Sequence, residues 1–332
     1  MGCQYSGVTA AQNLSRRLAD GEVVVIDGGT GTQLQTKGAP MDDEIWSARA
    51  SLEHPELVQA VHEAYIRAGA EVIIANSFAT NRAALEPAGL GARVAEANHN
   101  AVRAALQARE AAAGHPVAVA GSMSSFCSIA MYGRGPAAQE PDAAAEDPRF
   151  PSLATFREQA ALLADAGADL IALELMEAPG YGQAAIQAAT ETGLPVWLGI
   201  APIRNDDGSL GTDPELGSGL SFAELVRQLA TPDLAAVTVM HAKPDVVAEA
   251  LGVIREHFDG PIGVYAESGD WAAPNWVFNG LTPDEYLLEA DSWVSHGAQI
   301  IGGCCGVGPE HIRVLTDSLA RPATGRTSPA PG

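Results

Sequence analysis

The segment Ile300-Ile301-Gly302-Gly303-Cys304-Cys305-Gly306 joins an apolar run to two glycines, two adjacent thiols and a further glycine. Adjacent cysteines on a regular strand point to opposite faces, so both sulfurs reach one metal only if the backbone kinks, which the glycines permit. Thiolates bind zinc at about 2.3 Å, and a catalytic zinc site takes three protein ligands and keeps a fourth position for water or substrate. A third ligand is therefore needed. His241 closes the run Val237-Thr238-Val239-Met240-His241 and would emerge at the same rim as the cysteines. Cys127, in Ser124-Ser125-Phe126-Cys127-Ser128, is a competing third ligand.

Two acids end other apolar runs. Val25-Ile26-Asp27-Gly28-Gly29-Thr30-Gly31-Thr32 sets a carboxylate before a glycine-rich turn, whose N–H groups could face an anion such as a substrate carboxylate. No helix is expected to begin at once after these glycines, and their spacing does not match the dinucleotide fingerprint. Leu173-Glu174-Leu175-Met176-Glu177 supplies a second acid. Asp27 and Glu174 together could hold an ammonium group; the alternative for each is a solvated rim carboxylate.

These residues need a common face, and the pattern of elements provides one. Short β-branched runs alternate with Ala- and Leu-rich stretches of helical period, which predicts repeated βα units around a parallel sheet. Strands are expected at 23–27, 72–76, 117–121, 170–174, 196–200, 235–240, 262–265 and 299–303. Helices are expected near 55–68, 92–113, 152–166, 181–191, 220–230, 244–257, 282–296 and 309–319. Eight such units make a (β/α)8 barrel. Helix-to-strand turns such as Ala68-Gly69-Ala70 and Ala166-Gly167-Ala168 are short, whereas the strand-to-helix connections 28–54, 122–151, 201–219 and 266–281 are long. Long connections in a compact domain carry function, and the active sites of such barrels lie at the C-terminal ends of the strands. Residues 8–20 have the pattern of an amphipathic helix that would close the opposite end. Residues 136–147 are expected to form a lid, and 321–332, rich in Pro, Gly, Ser and Thr, a disordered tail after one domain spanning 1–320.

At 332 residues and 47% hydrophobic content the chain can bury one large core. A net charge of −22 repels a phosphate backbone, so nucleic acid is not an expected partner. Apolar runs such as Val23-Val24-Val25-Ile26 are far shorter than the ~20 residues that span a bilayer, and the chain is expected to be cytoplasmic, with no membrane partner. Four cysteines, two of them adjacent, suit metal or thiol chemistry better than a disulfide framework. A homo-oligomer is compatible with all of this.

In this order, Asp27-Gly28-Gly29, Glu174 and Gly302-Gly303-Cys304-Cys305-Gly306 followed by Pro309-Glu310-His311-Ile312 resemble the homocysteine S-methyltransferase family over residues 20 to 320. Gln159 before the Ala-Gly-Ala-Asp turn, Tyr265 with Ser268-Gly269, and Trp293 add to the likeness. The resemblance implies a zinc ion that binds a thiol acceptor, homocysteine, as a thiolate able to attack the methyl group of a small donor. It assigns metal positions to Cys304 and Cys305, and the amino-acid end of homocysteine to Asp27 and Glu174. The expected site is therefore His241, Cys304 and Cys305 at the metal and Asp27, Gly28, Thr30, Glu174 and Met176 at the substrate, with Asp27 and Glu174 also catalytic.

Two positions depart from the family pattern. Met240-His241 stands where the family has Asn-Cys, and Ala266-Glu267 where it has Pro-Asn. A His-Cys-Cys set makes the zinc centre neutral rather than anionic, which favours a lower acceptor pKa and a less nucleophilic sulfur. S-methylmethionine is the favoured donor, with S-adenosylmethionine or a betaine next. Trp271, Trp276 and Phe278 could face a cationic donor. The alternatives are another thiol or donor on the same zinc barrel, hydrolysis by zinc-bound hydroxide, and a non-catalytic thiol- or metal-binding relative.

Overall fold

The computed structural model describes residues 9–42, 44–127, 150–213, 219–272, 275–277 and 280–319. Eight strands form its sheet: β1 Val24–Val25, β2 Val72–Ile74, β3 Ala118–Ser124, β4 Leu170–Glu174, β5 Val196–Ile200, β6 Ala236–Met240, β7 Ile262–Ala266 and β8 Ala298–Gly303. Their order is β1-β8-β7-β6-β5-β4-β3-β2, every neighbouring pair is parallel, and an Ile26–Val72 bridge joins β1 to β2. The expected (β/α)8 barrel is present, and its strand positions lie within a few residues of those expected from the sequence.

The period of two along a strand sorts side chains into two cores. Val24, Ala118, Ala120, Leu170, Ala172, Trp197, Ala236, Met240 and Ile300 face inward and pack together. Their neighbours Val25, Val119, Ile171, Leu173, Val196, Leu198, Val237, Val239 and Ile301 face the surrounding helices. Burying both faces explains why the strands are near-continuous apolar runs. Leu14 and Leu18 of the helix Ala10–Ala19 join the inner cluster beside Leu170 and Trp197, closing the barrel at the end away from the glycine-rich loops.

The outer helices start where local chemistry favours them. Thr282 accepts from the Glu285 N–H and forms a capping box, and Pro55, Pro179, Pro244 and Pro283 sit in first turns, where a missing N–H costs nothing. Helices Pro55–Ala68 and Pro309–Leu319 have the expected limits.

The long connections hold more structure than expected. Helices Thr30–Thr36 and Ala48–Glu53 occupy the first of them, so the expectation that no helix follows the strand-one glycines is corrected. The helix Thr30–Thr36 is supported by Leu34, which is buried in the outer core, and by the Thr32 hydroxyl, which donates to Gly29 O. Antiparallel pairs Ile203–Arg204 with Leu210–Gly211, and Asp270–Ala272 with Asn275–Val277, occupy two others. The expected lid at 136–147, the tail at 321–332 and Phe278 lie outside the described residues. Among the described residues no helix is long and apolar enough to cross a membrane.

Candidate active site

The C-terminal rim gathers the chemistry. β8 ends at Gly303, and the turn that follows brings the Sγ atoms of Cys304 and Cys305 to 3.8 Å of each other and Cys304 Sγ to 3.7 Å from His241 Nδ1. The donor atoms of these three residues all lie within 4.8 Å of one another. A tetrahedral zinc centre with bonds of about 2.3 Å to sulfur and 2.0–2.1 Å to nitrogen has edges of about 3.8 Å and 3.6 Å, so this donor set fits zinc in both spacing and chemistry. Cys127 does not belong to this cluster.

His241 reaches the cluster through its backbone. Alternation along β6 puts Met240 inward and would send residue 241 out toward the helices. Instead His241 adopts a left-handed conformation, φ 45°, which breaks the pleat. Leu175, one residue beyond β4, does the same at φ 58° and joins the inner cluster. Non-glycine residues in this region cost of order 1–3 kcal/mol and persist where the surroundings hold them. Here the Leu175 N–H points at Met240 Sδ at 3.0 Å, and the His241 N–H donates to Tyr265 O.

The acids are buried. Asp27 is 1% exposed; its Oδ2 accepts the Ile74 N–H at 2.8 Å, and its Oδ1 has no partner among the described residues. Burial, reinforced by the charge of Glu174, raises the Asp27 pKa well above the carboxylate range. Glu174, 7% exposed, accepts from the hydroxyls of Ser122 and Tyr265, yet burial and the neighbouring Cys304 charge still push it up to about 7. Glu177 accepts the Ala201 N–H and is likewise pushed by burial to about 7. Burial makes both Asp27 and Glu174 resist ionisation, and a cation held against them would oppose that preference.

The thiols and the imidazole are in hydrogen-bonding contact. The sulfur contact with Cys305, then His241, holds Cys304 well below the usual thiol value, while Cys305 is raised well above it by that same contact and by burial. Burial opposes a charge on His241, but Cys304, Glu267 and Glu177 outweigh it and raise its pKa to about 9. Both directions favour the charged forms, and a metal held here would compete with protons for the same donor atoms.

The other expected residues divide. Gly28 lies where a Cβ would stand 2.2 Å from Val307 O, and Thr30 opens the short helix, half-buried near the rim. The Gly29 N–H is spent on Val307 O rather than presented to an anion. Met176 is fully buried in the helix-facing core. The Trp276 ring stands edge-on to His241, centroids 5.8 Å apart. Sequence reasoning missed Ser122 and Lys243. Ser122 was within reach of the inward alternation Ala118, Ala120, Ser122, whereas Lys243 follows the break at His241 and no period marks it.

A parallel barrel that gathers one imidazole, two thiols and buried carboxylates at its C-terminal rim has the make-up of an enzyme of the (β/α)8 class with a donor set that could hold a metal ion. The homocysteine S-methyltransferase family model matches residues 24–319, and the chain belongs to that family. It is similar to homocysteine S-methyltransferase 1 of Zea mays, 31% identical over 320 residues covering 90% of this chain and 95% of that one. A selenocysteine methyltransferase from Astragalus bisulcatus is 28% identical over 326 residues, covering 90% of this chain and 93% of that protein. Among solved structures, the metallated homocysteine methyltransferase MmuM from Escherichia coli aligns with a TM-score of 0.70 and 26% identity, over 93% of this chain and 99% of that one.

Proposed function

We propose that the chain transfers a methyl group from a small cationic donor, S-methylmethionine first, to the thiol of homocysteine, giving methionine. The observation that carries this reading is the His241, Cys304 and Cys305 donor set standing near two buried carboxylates, Glu174 and Asp27, the latter with an oxygen that has no partner among the described residues. Zinc held by those three residues would keep the acceptor sulfur deprotonated at neutral pH. Asp27 Oδ1 and Glu174 take the acceptor's ammonium, with Ser122 and Tyr265 fixing the Glu174 carboxyl. Gly28 lets the chain approach closely at that end, and Thr30 borders it.

The acceptor sulfur attacks the donor methyl carbon in line. A new sulfur–carbon bond forms, the donor's bond to that carbon breaks, and its electron pair stays on the donor sulfur, leaving a neutral thioether. The acidic surroundings favour a cation in the ground state, and the Trp276 ring adds an aromatic wall beside His241. S-adenosylmethionine and a betaine satisfy the same charge requirement and rank next. The enzyme works as one unit over 1–320 in the cytoplasm, where free thiols persist.

Zinc content by elemental analysis, combined with mass-spectrometric detection of methionine from homocysteine plus S-methylmethionine, tests the reading. One zinc per chain with methionine formed is the expected result. Zinc without methionine for any of the three donors overturns the substrate assignment and favours another thiol, which the neutral His-Cys-Cys set would also accommodate.

A further inference from the structure

β3 runs on to Ser124, but β2 stops at Ile74, opposite Ala120, and the Ala75 N–H makes the last main-chain bond between them, to Ala120 O. Ser122 lies two residues beyond Ala120, so its N–H and C=O face the side that β2 has left. A buried main-chain pair without partners is costly. Here the Ser77 side chain takes the place of the missing strand. Its hydroxyl donates to Ser122 O at 2.9 Å and accepts the Ser122 N–H at 3.0 Å, and both serines are fully buried.

Ser77 is held in turn from the helix layer. Gln159, fully buried in the helix Leu153–Asp165, donates through Nε2 to Ser77 O at 2.9 Å, and the Thr80 N–H and hydroxyl converge on the same oxygen. Glutamine is mostly an exposed residue, and burying one to hold a single turn costs stability that packing alone does not ask for. What the network steadies is the Ser122 hydroxyl, which donates to Glu174 Oε2 inside the barrel. A serine hydroxyl hangs one rotatable bond from the main chain, so it goes where its backbone sends it.

We infer that Ser77, braced by Gln159, is a positioning residue for acceptor recognition: it fixes the Ser122 backbone so that the Ser122 hydroxyl holds the Glu174 carboxyl ready for the acceptor's ammonium. This rests on the function proposed above. Ser77 acts through Ser122, and its loss should therefore be felt at the amino end of the acceptor and not at its sulfur.

The test uses calorimetry on the zinc-loaded full chain, without a donor, to measure Kd for two acceptors: homocysteine, and the same thiol acid lacking the amino group. The wild type should bind homocysteine more tightly. In Ser77→Ala, Kd for homocysteine should rise roughly three- to tenfold, the worth of one hydrogen bond, while Kd for the desamino acceptor holds. Steady-state kinetics with S-methylmethionine should repeat the split, KM for homocysteine rising and kcat holding. Ser77→Cys, which fills nearly the same space with a weaker hydrogen-bonding group, should fall between the two. A homocysteine Kd equal to that of the wild type, or an equal rise for both acceptors, overturns the role of Ser77 while the proposed function stands. A wild type that binds both acceptors equally, or neither, removes the ammonium site and this inference with it. Should Ser77→Ala fail to fold, Ser77→Cys decides alone: a rise confined to homocysteine supports the inference and an unchanged Kd overturns it.

Discussion

Cys304 and Cys305 are neighbours in the chain, yet their sulfurs lie on the same side at 3.8 Å. β8 has already ended, and Gly306, left-handed at φ 84°, closes a turn too tight for a Cβ, which would stand 2.6 Å from Ser268 O. Substituting Cys304→Ser, Cys305→Ser or His241→Ala should each remove most bound zinc, whereas Cys127→Ser should retain it. Elemental analysis of the purified variants decides this; zinc retained in His241→Ala would transfer the third position to another residue.

Glu174 should trade stability for binding. Burial raises its folded pKa to about 7 from an ordinary 4.5, so the folded state holds the proton longer than the unfolded chain. Its contribution is therefore fully present below pH 4.5 and lost as pH rises toward 7, up to roughly 3 kcal/mol. Glu174→Gln should raise the melting temperature at pH 8 and flatten this loss. It should also raise KM for homocysteine at least tenfold. A variant as stable as wild type across that range would show that the buried carboxyl carries no such cost.

His62 predicts a slope of the opposite sign. It is fully buried in the helix Pro55–Ala68, neither ring nitrogen has a partner among the described residues, and burial lowers its pKa to about 4. The unfolded chain then binds the extra proton first. Stability from this group is complete above pH 6.5 and falls as pH drops toward 4. His62→Leu should stabilise the protein by about 1–3 kcal/mol at pH 5, because unpaired buried polar groups cost that much. Denaturant melts at pH 5 and 8 would measure it, and equal loss of stability on acidification in both proteins would acquit His62.

Gly199→Ala should separate substrate binding from metal binding. A Cβ there would stand 2.7 Å from the Tyr265 hydroxyl and 2.9 Å from Leu173 O, displacing the tyrosine from Glu174. Zinc content should stay at the wild-type level while KM for homocysteine rises severalfold. Steady-state kinetics on the zinc-loaded variant give the answer, and unchanged KM would mean that the tyrosine is dispensable for holding Glu174.

Much of this was legible because strands have period two and helices start with recognisable chemistry. Leu170 to Glu174 and Val196 to Ile200 have the limits that their apolar runs suggest. The inward step Leu170, Ala172, Glu174 aims the acid at the pocket without further information. What escaped were backbone irregularities. Nothing in Met240-His241 announces a left-handed residue, although it is that turn which brings the imidazole to the cysteines. The helices Thr30–Thr36 and Ala48–Glu53 escaped because seven and six residues are too few to display a period. Glu267 was visible as an unusual residue, but its pairing with His241 and Lys243 depends on how two strand ends meet.

Asp27 carries a consequence for how this sequence can change. β1 meets β2 through one bridge rather than a ladder, and at that seam a carboxylate oxygen of the pocket receives the Ile74 N–H while the Asp27 N–H donates to Val72 O. The barrel is laced shut there by the side chain proposed above to take the acceptor's ammonium. Drift toward a ligand without an ammonium group cannot simply discard this acid, because the same substitution loosens the closure of the sheet. On that proposal recognition and architecture are inherited together at Asp27, whereas Glu174, whose partners are hydroxyls, is free to diverge with the ligand.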